Sequence, residues 1–459
     1  MDLSGEGLEL INKQTDTTDH KSTSKFAITT LGCKVNQYES DAMAQQLKNS
    51  GCAQVRQEKT ADLCIINTCT VTQKASMQSR QAVRQAIRSN PRARIIVTGC
   101  YAQTEPDEIK KIEGVHHIVG HTDKHKIPEM VTNADQKKRP KNTVVVKDIF
   151  FEHDFKQIPV TAVGNRTRPF LKIQDGCDSF CTYCIVPYAR GPSRSMPFES
   201  VLENIKQLKQ AGYHEVVLSG IHLGAYGRGL SPKIDLLSLL KRIHESSAID
   251  RIRLSSIEPL ELTKDIIKIV AETDRFCHHF HVPLQSGDDS ILKKMHRPYT
   301  SSFFRDLIIK INEGVPDAAI GVDTLIGFPG ETEEAFDNTY SLIEDLPVTY
   351  LHVFPFSPRS GTPASEYPQK VPPELIKLRC QKMRDLGRVK KNIFYQKFLG
   401  EKVEVLMEGG KERSSGCLKG ITSNYIPIHV QCDNEHENTL VQVRIDKLNS
   451  DNTIFGSIF

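Results

Sequence analysis

The sequence predicts an α/β protein in three parts: an N-terminal open parallel α/β domain, a central partial (β/α) barrel and a small all-β barrel at the C-terminal end. Three observations predict this architecture. Short apolar runs alternate with helical patterns near the beginning, about six such alternations fill the middle, and short strands separated by turn residues occupy the end. The length of 459 residues suits two or three domains.

The N-terminal domain is predicted over residues 25–150, after a disordered tail at residues 1–24 that shows no periodicity. Strands alternate with helices in this region, which indicates a parallel sheet covered by helices. The predicted strands are Phe26–Leu31, Leu63–Asn67 and Ile95–Thr98, and the predicted helices are Glu39–Asn49 and Lys74–Ser89.

The central barrel is predicted over residues 169–397, after a linker at 151–168. A helical pattern, Glu374–Phe398, ends this region. Between Lys377 and Lys397 it carries eight Lys or Arg residues against one acid, Asp385. The six predicted strands of the barrel are FLKI, EVVLSG, RIRLSS, FHVPL, AIGVDTLIG and YLHVFPF.

The last part, residues 398–459, contains five short strand patterns with turn residues between them. Such a pattern is typical of a small barrel of the oligonucleotide-binding type. The strand patterns are KVEVLME, CLKGITS, YIPIHV, LVQVRI and TIFGSIF.

Composition indicates a cytoplasmic protein without a membrane segment. The N-terminal stretch is polar and lacks the apolar core of a signal peptide, and no run approaches the roughly 20 apolar residues of a membrane span. Twelve cysteines in such a chain favour metal binding or catalysis over disulfides. The formal net charge of +4 neither requires nor excludes a nucleic-acid partner.

The strongest local motif is GCDSFCTYCIVPYARG, which places Cys177, Cys181 and Cys184 just after the first strand of the predicted barrel. This spacing lets one loop hold three irons of a [4Fe–4S] cluster, and one iron stays open for another ligand. Two other interpretations are a structural zinc loop and unrelated core cysteines. A zinc site would favour a fourth Cys or His nearby in the sequence, and none is adjacent.

This Cys-x3-Cys-x-aromatic-Cys loop resembles that of the radical-SAM superfamily, with Tyr183 as the aromatic residue. The resemblance implies that the open iron binds S-adenosylmethionine (SAM) and that Tyr183 lies beside its adenine. It also implies that cleavage of SAM gives a 5′-deoxyadenosyl radical.

Cys33, Cys69 and Cys100 form a second candidate set. Each follows a predicted strand, in the segments ITTLGCK, IINTCTV and IVTGCYA. Because the carboxyl ends of parallel strands line one crevice, the three thiols are candidates to converge on a second cluster. The alternative is an ordinary crevice. Cys64 lies inside an apolar run and is predicted to be a buried small hydrophobe.

The combination of TLGCKVNQYES, INTCTVT and TGCYAQ with the loop around Cys177 resembles the radical-SAM methylthiotransferases over about residues 25–459. That resemblance implies a cluster domain, a radical-SAM barrel and a C-terminal RNA-binding TRAM barrel. It also implies two [4Fe–4S] clusters, and a SAM pocket lined by Gly220, Ser256, Glu258 and Gln285.

Within that family, TLGCKVNQYES and GIHLGAYG resemble the bacterial branch that acts on N6-threonylcarbamoyladenosine of tRNA, next to the anticodon. The isopentenyladenosine branch has GCQMN at the first cysteine, and the branch that acts on a ribosomal-protein aspartate has GCPKN. The resemblance implies sulfur insertion followed by methylation at C2, with SAM as both radical source and methyl donor.

The expected partners are a tRNA anticodon loop, an electron donor such as flavodoxin or ferredoxin, and an unidentified sulfur donor. The basic stretch Lys377–Lys397 beside a small β-barrel favours RNA, although a basic helix can also be only a solvated face. A two-cluster electron-transfer protein is the alternative of another class, but its clusters would normally have four protein ligands each. The histidines His278, His279 and His281 are interpreted as structural or pocket-lining.

Overall fold

The computed structural model describes residues 24–56, 58–132, 143–157, 166–246, 248–410 and 416–459. The tail predicted at residues 1–24 therefore lies outside the described residues except for Ser24, and the predicted linker lies partly outside them. The domain boundaries stay a prediction.

The N-terminal domain contains a six-stranded parallel sheet in the order β2-β1-β3-β4-β5-β6. Its strands are β1 (Lys25–Thr30), β2 (Ala53–Gln54), β3 (Leu63–Thr68), β4 (Arg94–Gly99), β5 (His117–Val119) and β6 (Thr143–Val145). Its helices are α1 (Lys34–Asn49), α2 (Gln73–Ser89), α3 (Cys100–Thr104), α4 (Pro106–Lys110) and α5 (Ile127–Thr132). The three predicted strands and two predicted helices are confirmed, but α1 begins five residues earlier than predicted because its first turn is polar.

The central region is a partial barrel of two three-stranded parallel sheets, β11-β10-β7 and β12-β13-β14. Its strands are β7 (Phe170–Lys172), β8 (Gln174–Asp175), β9 (Arg194–Ser195), β10 (Glu215–Ser219), β11 (Arg251–Leu254), β12 (His279–Gln285), β13 (Ala319–Ile326) and β14 (Tyr350–Pro355). Its helices are α6 (Val186–Arg190), α7 (Phe198–Gln210), α8 (Leu236–Ser246), α9 (Lys264–Ala271), α10 (Asp289–Lys294), α11 (Ser301–Gly314), α12 (Glu333–Asp345) and α13 (Pro373–Gln396). A single bridge between Ile252 and Phe276 joins the two sheets.

The strands of the barrel have one apolar face and one face that also carries charged side chains. Side chains such as Val216, Ile252 and Val322 belong to the main apolar core. Because successive side chains of a strand point to opposite faces, their neighbours Val217, Arg253 and Asp323 face the other way, into the barrel interior. Helix α1 of the N-terminal domain contacts β7 at the open edge of the barrel, so the N-terminal domain borders this interior.

The C-terminal domain is a closed five-stranded barrel in the order β15-β16-β17-β19-β18, as the sequence predicts. Its strands are β15 (Lys402–Met407), β16 (Leu418–Thr422), β17 (Pro427–Val430), β18 (Leu440–Leu448) and β19 (Ile454–Ile458). The turn between β16 and β17 contacts the central barrel. Arg253 donates hydrogen bonds to the carbonyl oxygens of Thr422 (3.0 Å) and Ser423 (2.8 Å), and the Tyr425 ring stacks on His279 with centroids 4.4 Å apart.

Among the described residues, no helix is both long enough and apolar enough to cross a membrane.

Candidate functional site

Cys177, Cys181 and Cys184 lie in one loop between β8 and α6, as predicted. The backbone N–H of Cys177 donates to the carbonyl of Gly191 at 3.0 Å. Gly176, with φ of +75°, permits this approach, because a Cβ there would lie 1.9 Å from the Pro192 carbonyl oxygen. The loop is therefore held in one shape by backbone contacts that only glycine allows.

Polar side chains surround the sulfurs of this loop. His222 Nδ1 lies 3.5 Å from Cys177 Sγ, and Arg297 donates to Cys181 Sγ at 3.4 Å. Burial raises the pKa of Cys181, and the nearby Arg297 opposes this shift. Arg297 also pairs with Glu258. These donors favour the thiolate form, which is the form that ligates a metal.

Cys33, Cys69 and Cys100 follow β1, β3 and β4, so the carboxyl ends of three neighbouring strands deliver them to one edge of the sheet. The loop that carries Cys33 comes close to Cys69, because a Cβ on Gly32 would lie 2.8 Å from Cys69 Sγ. Burial raises the pKa of the Cys100 thiol to about 12, and the nearby sulfurs of Cys69 and Cys33 contribute to the increase. The predicted convergence is therefore present in the fold.

Asn36 fixes the loops that carry Cys33 and Cys69. Its side-chain amide donates to the carbonyls of Leu31 (2.8 Å) and Thr68 (3.0 Å), one on each loop. Asn67 donates in turn to the Asn36 carbonyl at 2.8 Å. Because Asn36 is fully buried, each of these bonds replaces contact with water that the amide has lost.

The two cysteine sets meet across one contact between domains. Helix α3, which begins at Cys100, contacts helix α6, which begins two residues after Cys184. Arg190, the last residue of α6, donates to Asn36 Oδ1 at 2.6 Å. It also donates to Glu39 Oε1 at 3.0 Å and to Asp175 Oδ1 at 2.8 Å. Arg190 is 1% exposed, so these acceptors replace its water shell.

Lys124 and Lys172 complete this ion network. Lys124 Nζ lies 2.5 Å from Glu39 Oε2, and Lys172 Nζ lies 3.0 Å from both Glu39 and Asp175. Burial alone would raise the pKa of Glu39, but Arg190, Lys124 and Lys172 hold it well below its usual value. The two acids thus stay ionised, and the network fixes the position of one cysteine set relative to the other.

The residues expected to line a SAM pocket lie at the same end of the barrel as the cysteine loop. Gly220 follows β10, Ser256 and Glu258 follow β11, and Gln285 ends β12. A Cβ on Gly220 would lie 2.9 Å from Gln174 Oε1. Gln285 has φ of +69°, a strained value of the kind that concentrates at functional sites.

Tyr183 is half-buried and packs against a small apolar cluster. The members of that cluster are Ile291, Met295, Leu325, Phe328, Ala335 and Ala364. This apolar cluster supports the cysteine loop, because the Thr182 N–H donates to the carbonyl of Met295, one of its members, at 3.2 Å.

The spacing of the sulfurs tests which metal group fits. Two thiolates bound to one zinc ion lie at most about 4.6 Å apart, twice the Zn–S bond length. Among the described residues, three donor atoms of the Cys, His, Asp or Glu type lie within 4.8 Å of one another at His281, Asp323 and His352. Neither cysteine set has this close spacing. The spacing therefore disfavours the zinc interpretation of the Cys177 loop, and three thiolates suit an iron–sulfur cluster by their donor chemistry.

Comparison with known proteins gives matching results. Residues 25–120 match the Uncharacterized protein family UPF0004, and residues 171–343 match the Radical SAM superfamily. The chain is 38% identical over 424 residues to the Threonylcarbamoyladenosine tRNA methylthiotransferase MtaB of Bacillus subtilis, covering 92% of this chain and 93% of the relative. It is 34% identical to the tRNA-2-methylthio-N(6)-dimethylallyladenosine synthase of Clostridium tetani, covering 94% and 95%.

The chain belongs to the radical-SAM methylthiotransferase family.

As a member of this family, the protein is an enzyme that transfers sulfur-containing groups. Radical-SAM enzymes use SAM and a [4Fe–4S] cluster, and methylthiotransferases carry a second cluster. A solved structure supports the fold. The radical S-adenosylmethionine methyltransferase TsrM of Kitasatospora setae matches with a TM-score of 0.55 at 16% identity, covering 75% of this methylthiotransferase and 77% of TsrM.

Sequence reasoning missed the polar residues that join the two domains of this methylthiotransferase. Asn36, Glu39 and Arg190 are buried, yet nothing in the spacing of the cysteines indicates them. A signal exists within α1: Asn36 and Glu39 are three residues apart, so they share one helix face directly after Cys33. Two polar residues on the buried face of an amphipathic helix indicate an internal partner.

Proposed function

We propose that this enzyme adds a methylthio group to C2 of N6-threonylcarbamoyladenosine next to the anticodon of tRNA. The observation that carries the proposal is the arrangement of two three-cysteine sets on either side of one buried contact between α3 and α6. The names of the relatives in Bacillus subtilis and Chlamydia pneumoniae, the second 35% identical over 94% of this chain, support the choice of substrate.

Each cysteine set has its own proposed role. Cys177, Cys181 and Cys184 hold the cluster that binds SAM, and Cys33, Cys69 and Cys100 hold the second cluster. The SAM pocket is lined by Tyr183, Gly220, Ser256, Glu258 and Gln285. When bound, SAM and the clusters supply three things: the radical that removes hydrogen from the base, the path by which sulfur reaches the base, and the methyl group.

The protein's own residues position these groups. Arg190 and its partners Glu39 and Asp175 hold the two cysteine sets in a fixed position relative to each other. On the other side of the site, Arg359 donates to the Thr70 hydroxyl at 2.6 Å. The segment after β14 is thereby held against the Cys69 loop, where it restricts the entry of water.

A cleft of about 610 Å³ between β14, α13 and the C-terminal barrel supports an RNA partner. Arg384, Arg388 and Lys391 contribute positive charge to it, and Tyr350 and Tyr425 contribute aromatic rings. Basic side chains that follow a backbone, together with rings on which bases stack, are the elements of single-strand recognition. We place the anticodon loop of tRNA here, where an unpaired base enters the barrel at modest energetic cost.

The proposal also includes the sources of electrons and sulfur and the cellular compartment of the enzyme. The reaction requires electrons, from a donor such as flavodoxin or ferredoxin, and sulfur from a donor that is separate from this chain. We expect the enzyme to work in the cytoplasm, where reduced thiols and tRNA are both present.

The test is mass spectrometry of nucleosides from the tRNA of a strain that lacks this enzyme. Methylthio-threonylcarbamoyladenosine is expected to disappear and to return when the intact gene is restored, but not with Cys69→Ala. A strain that keeps this nucleoside and instead loses the methylthio form of dimethylallyladenosine would move the enzyme to the function named for the Clostridium tetani relative.

A further inference from the structure

A cavity of about 290 Å³ lies where all three parts of the chain meet. Lys34 enters it from α1 of the N-terminal domain. Phe170, Val217 and Arg253 line it from the inward face of the central barrel, and Tyr425 lines it from the C-terminal barrel. The cavity is therefore continuous with the barrel interior, and its wall includes the residue next to Cys33.

Most charges on the wall of this cavity are paired. Arg253 bonds to Glu215 at 2.8 Å, and Arg168 bonds to Glu408 at 2.7 Å. Arg166 lies 3.6 Å from Asp41, at the margin of an ion pair. Each arginine on the cavity wall therefore has an acidic neighbour.

Lys34 differs from these arginines. Within the part of the chain that the structure describes, its ammonium group makes neither a hydrogen bond nor an ion pair, although it projects into the cavity. Lys34 is exposed, so a ligand that enters the cavity from solution can reach its ammonium group. An anion bound beside Lys34 would accept hydrogen bonds from its three donors.

Two features define the kind of anion that fits. The aromatic rings of Phe170 and Tyr425 lie on the cavity wall, so the ligand combines a flat or apolar part with a charged group. Lys34 directly follows Cys33, so the charged group lies close to the N-terminal cysteine set. A modified adenine whose side chain ends in a carboxylate has both properties.

We propose that Lys34 binds the carboxylate of the threonylcarbamoyl side chain and thereby selects this base over one with an uncharged substituent. The inference rests on the proposed function and names the group that determines its specificity. A dimethylallyl side chain in this cavity offers the ammonium group no acceptor, so that base would lack the charge-assisted hydrogen bond that the threonylcarbamoyl base makes. A backbone phosphate of the tRNA offers the same charge, and the experiment separates the two sources.

The experiment measures the affinity of the cluster-loaded enzyme for two anticodon stem–loop RNAs of one sequence. One carries N6-threonylcarbamoyladenosine, and the other carries its uncharged methyl ester. The intact enzyme is expected to bind the acid about tenfold more tightly, as is typical of one charge-assisted hydrogen bond. Lys34→Gln should remove this preference and leave the affinity for the ester unchanged.

Two variants serve as matched controls. Lys34→Arg retains the positive charge and should keep the preference for the acid. Lys48→Gln removes an exposed lysine from the same helix and should bind both RNAs like the intact enzyme. Iron content per chain, measured for every variant, verifies that the clusters are loaded equally.

Two results would overturn the inference. If Lys34→Gln still prefers the acid, the carboxylate lies elsewhere; if it loses affinity for both RNAs equally, Lys34 contacts a phosphate. Product formation separates this inference from the proposed function. Conversion of the threonylcarbamoyl RNA by the intact enzyme supports the function whatever Lys34 does, whereas lack of conversion contradicts the function itself.

Discussion

Arg190 donates a hydrogen bond to Glu39 at 3.0 Å, although the two residues are 151 positions apart in the chain. One ends the helix that follows the Cys177 loop, and the other lies in the helix that follows Cys33. The bond therefore connects the supports of the two cysteine sets directly, so a change at either residue is expected to affect both sites.

Glu39→Gln should destabilise the enzyme strongly. The substitution leaves the buried cations Arg190, Lys124 and Lys172 with Asp175 as their remaining acid in this network. Breaking a buried ion network in this way costs about 3–5 kcal/mol. Urea denaturation measures the change, with Glu313→Gln on the exposed face of α11 as the control. Equal unfolding free energies for the two variants would contradict the prediction.

Cys181→Ala should abolish SAM cleavage, whereas Cys69→Ala should leave it in place. Each should reduce iron from about eight to about four atoms per chain. Cys69→Ala should still yield 5′-deoxyadenosine when incubated with SAM and a reductant, because the other cysteine set is intact, whereas Cys181→Ala should yield none. Cys64→Ala removes a buried cysteine outside both sets and should keep its full iron content. Loss of cleavage in Cys69→Ala despite four irons would reject the division of roles.

Glu215→Gln should destabilise the enzyme by several kcal/mol, and the loss should depend on pH. Burial alone would raise the pKa of Glu215, but Arg253 and Arg251 lower it to about 2. A lowered carboxyl pKa stabilises the fold above the ordinary value near 4.3. This stabilisation is lost as the pH falls through about 2.

The difference in unfolding free energy between the intact enzyme and Glu215→Gln should therefore be constant above about pH 5 and should shrink below about pH 4. Chemical denaturation at several pH values, performed on protein with reconstituted clusters, measures this difference. A gap that stays the same down to pH 3 would show that Glu215 is not the responsible charge.

Reversing the charges of Arg384 and Arg388 should weaken tRNA binding. Both line the cleft between α13 and the C-terminal barrel. With both changed to Glu, affinity should fall at least tenfold, and the slope of log K against log salt should decrease by about 0.7 for each phosphate that the cleft no longer neutralises. Lys241→Glu with Arg242→Glu on the exposed face of α8 makes the same change of charge away from the cleft. Equal decreases in affinity for both double variants would mean that only total charge matters.

The alternation of strands and helices and the placement of the cysteines after strands could be predicted from the sequence because both follow from local patterns. Cys33, Cys69 and Cys100 each come after an apolar run, and parallel strands end at the same edge. The same reasoning places Cys177 at the end of the barrel. The short strands β2, β5 and β6 were missed because runs of two or three residues carry no measurable periodicity.

The ion network and the cavity could not be predicted, for a different physical reason. The bonds of Arg190 to Asn36 and Glu39 join residues more than 150 positions apart, and their existence depends on how two finished domains pack. The cavity beside Lys34 likewise forms only when Phe170 and Tyr425 are in place, and these residues belong to the other two parts of the chain.

The turn between β16 and β17 supplies Tyr425 to the cavity and receives two hydrogen bonds from Arg253. The C-terminal barrel thus forms part of the wall of the cavity that contains Lys34. Exchanging this barrel between family members would change the shape of the cavity together with any affinity for RNA. The C-terminal barrel and the barrel strands that it contacts are therefore expected to evolve together, and not to be exchanged independently between family members.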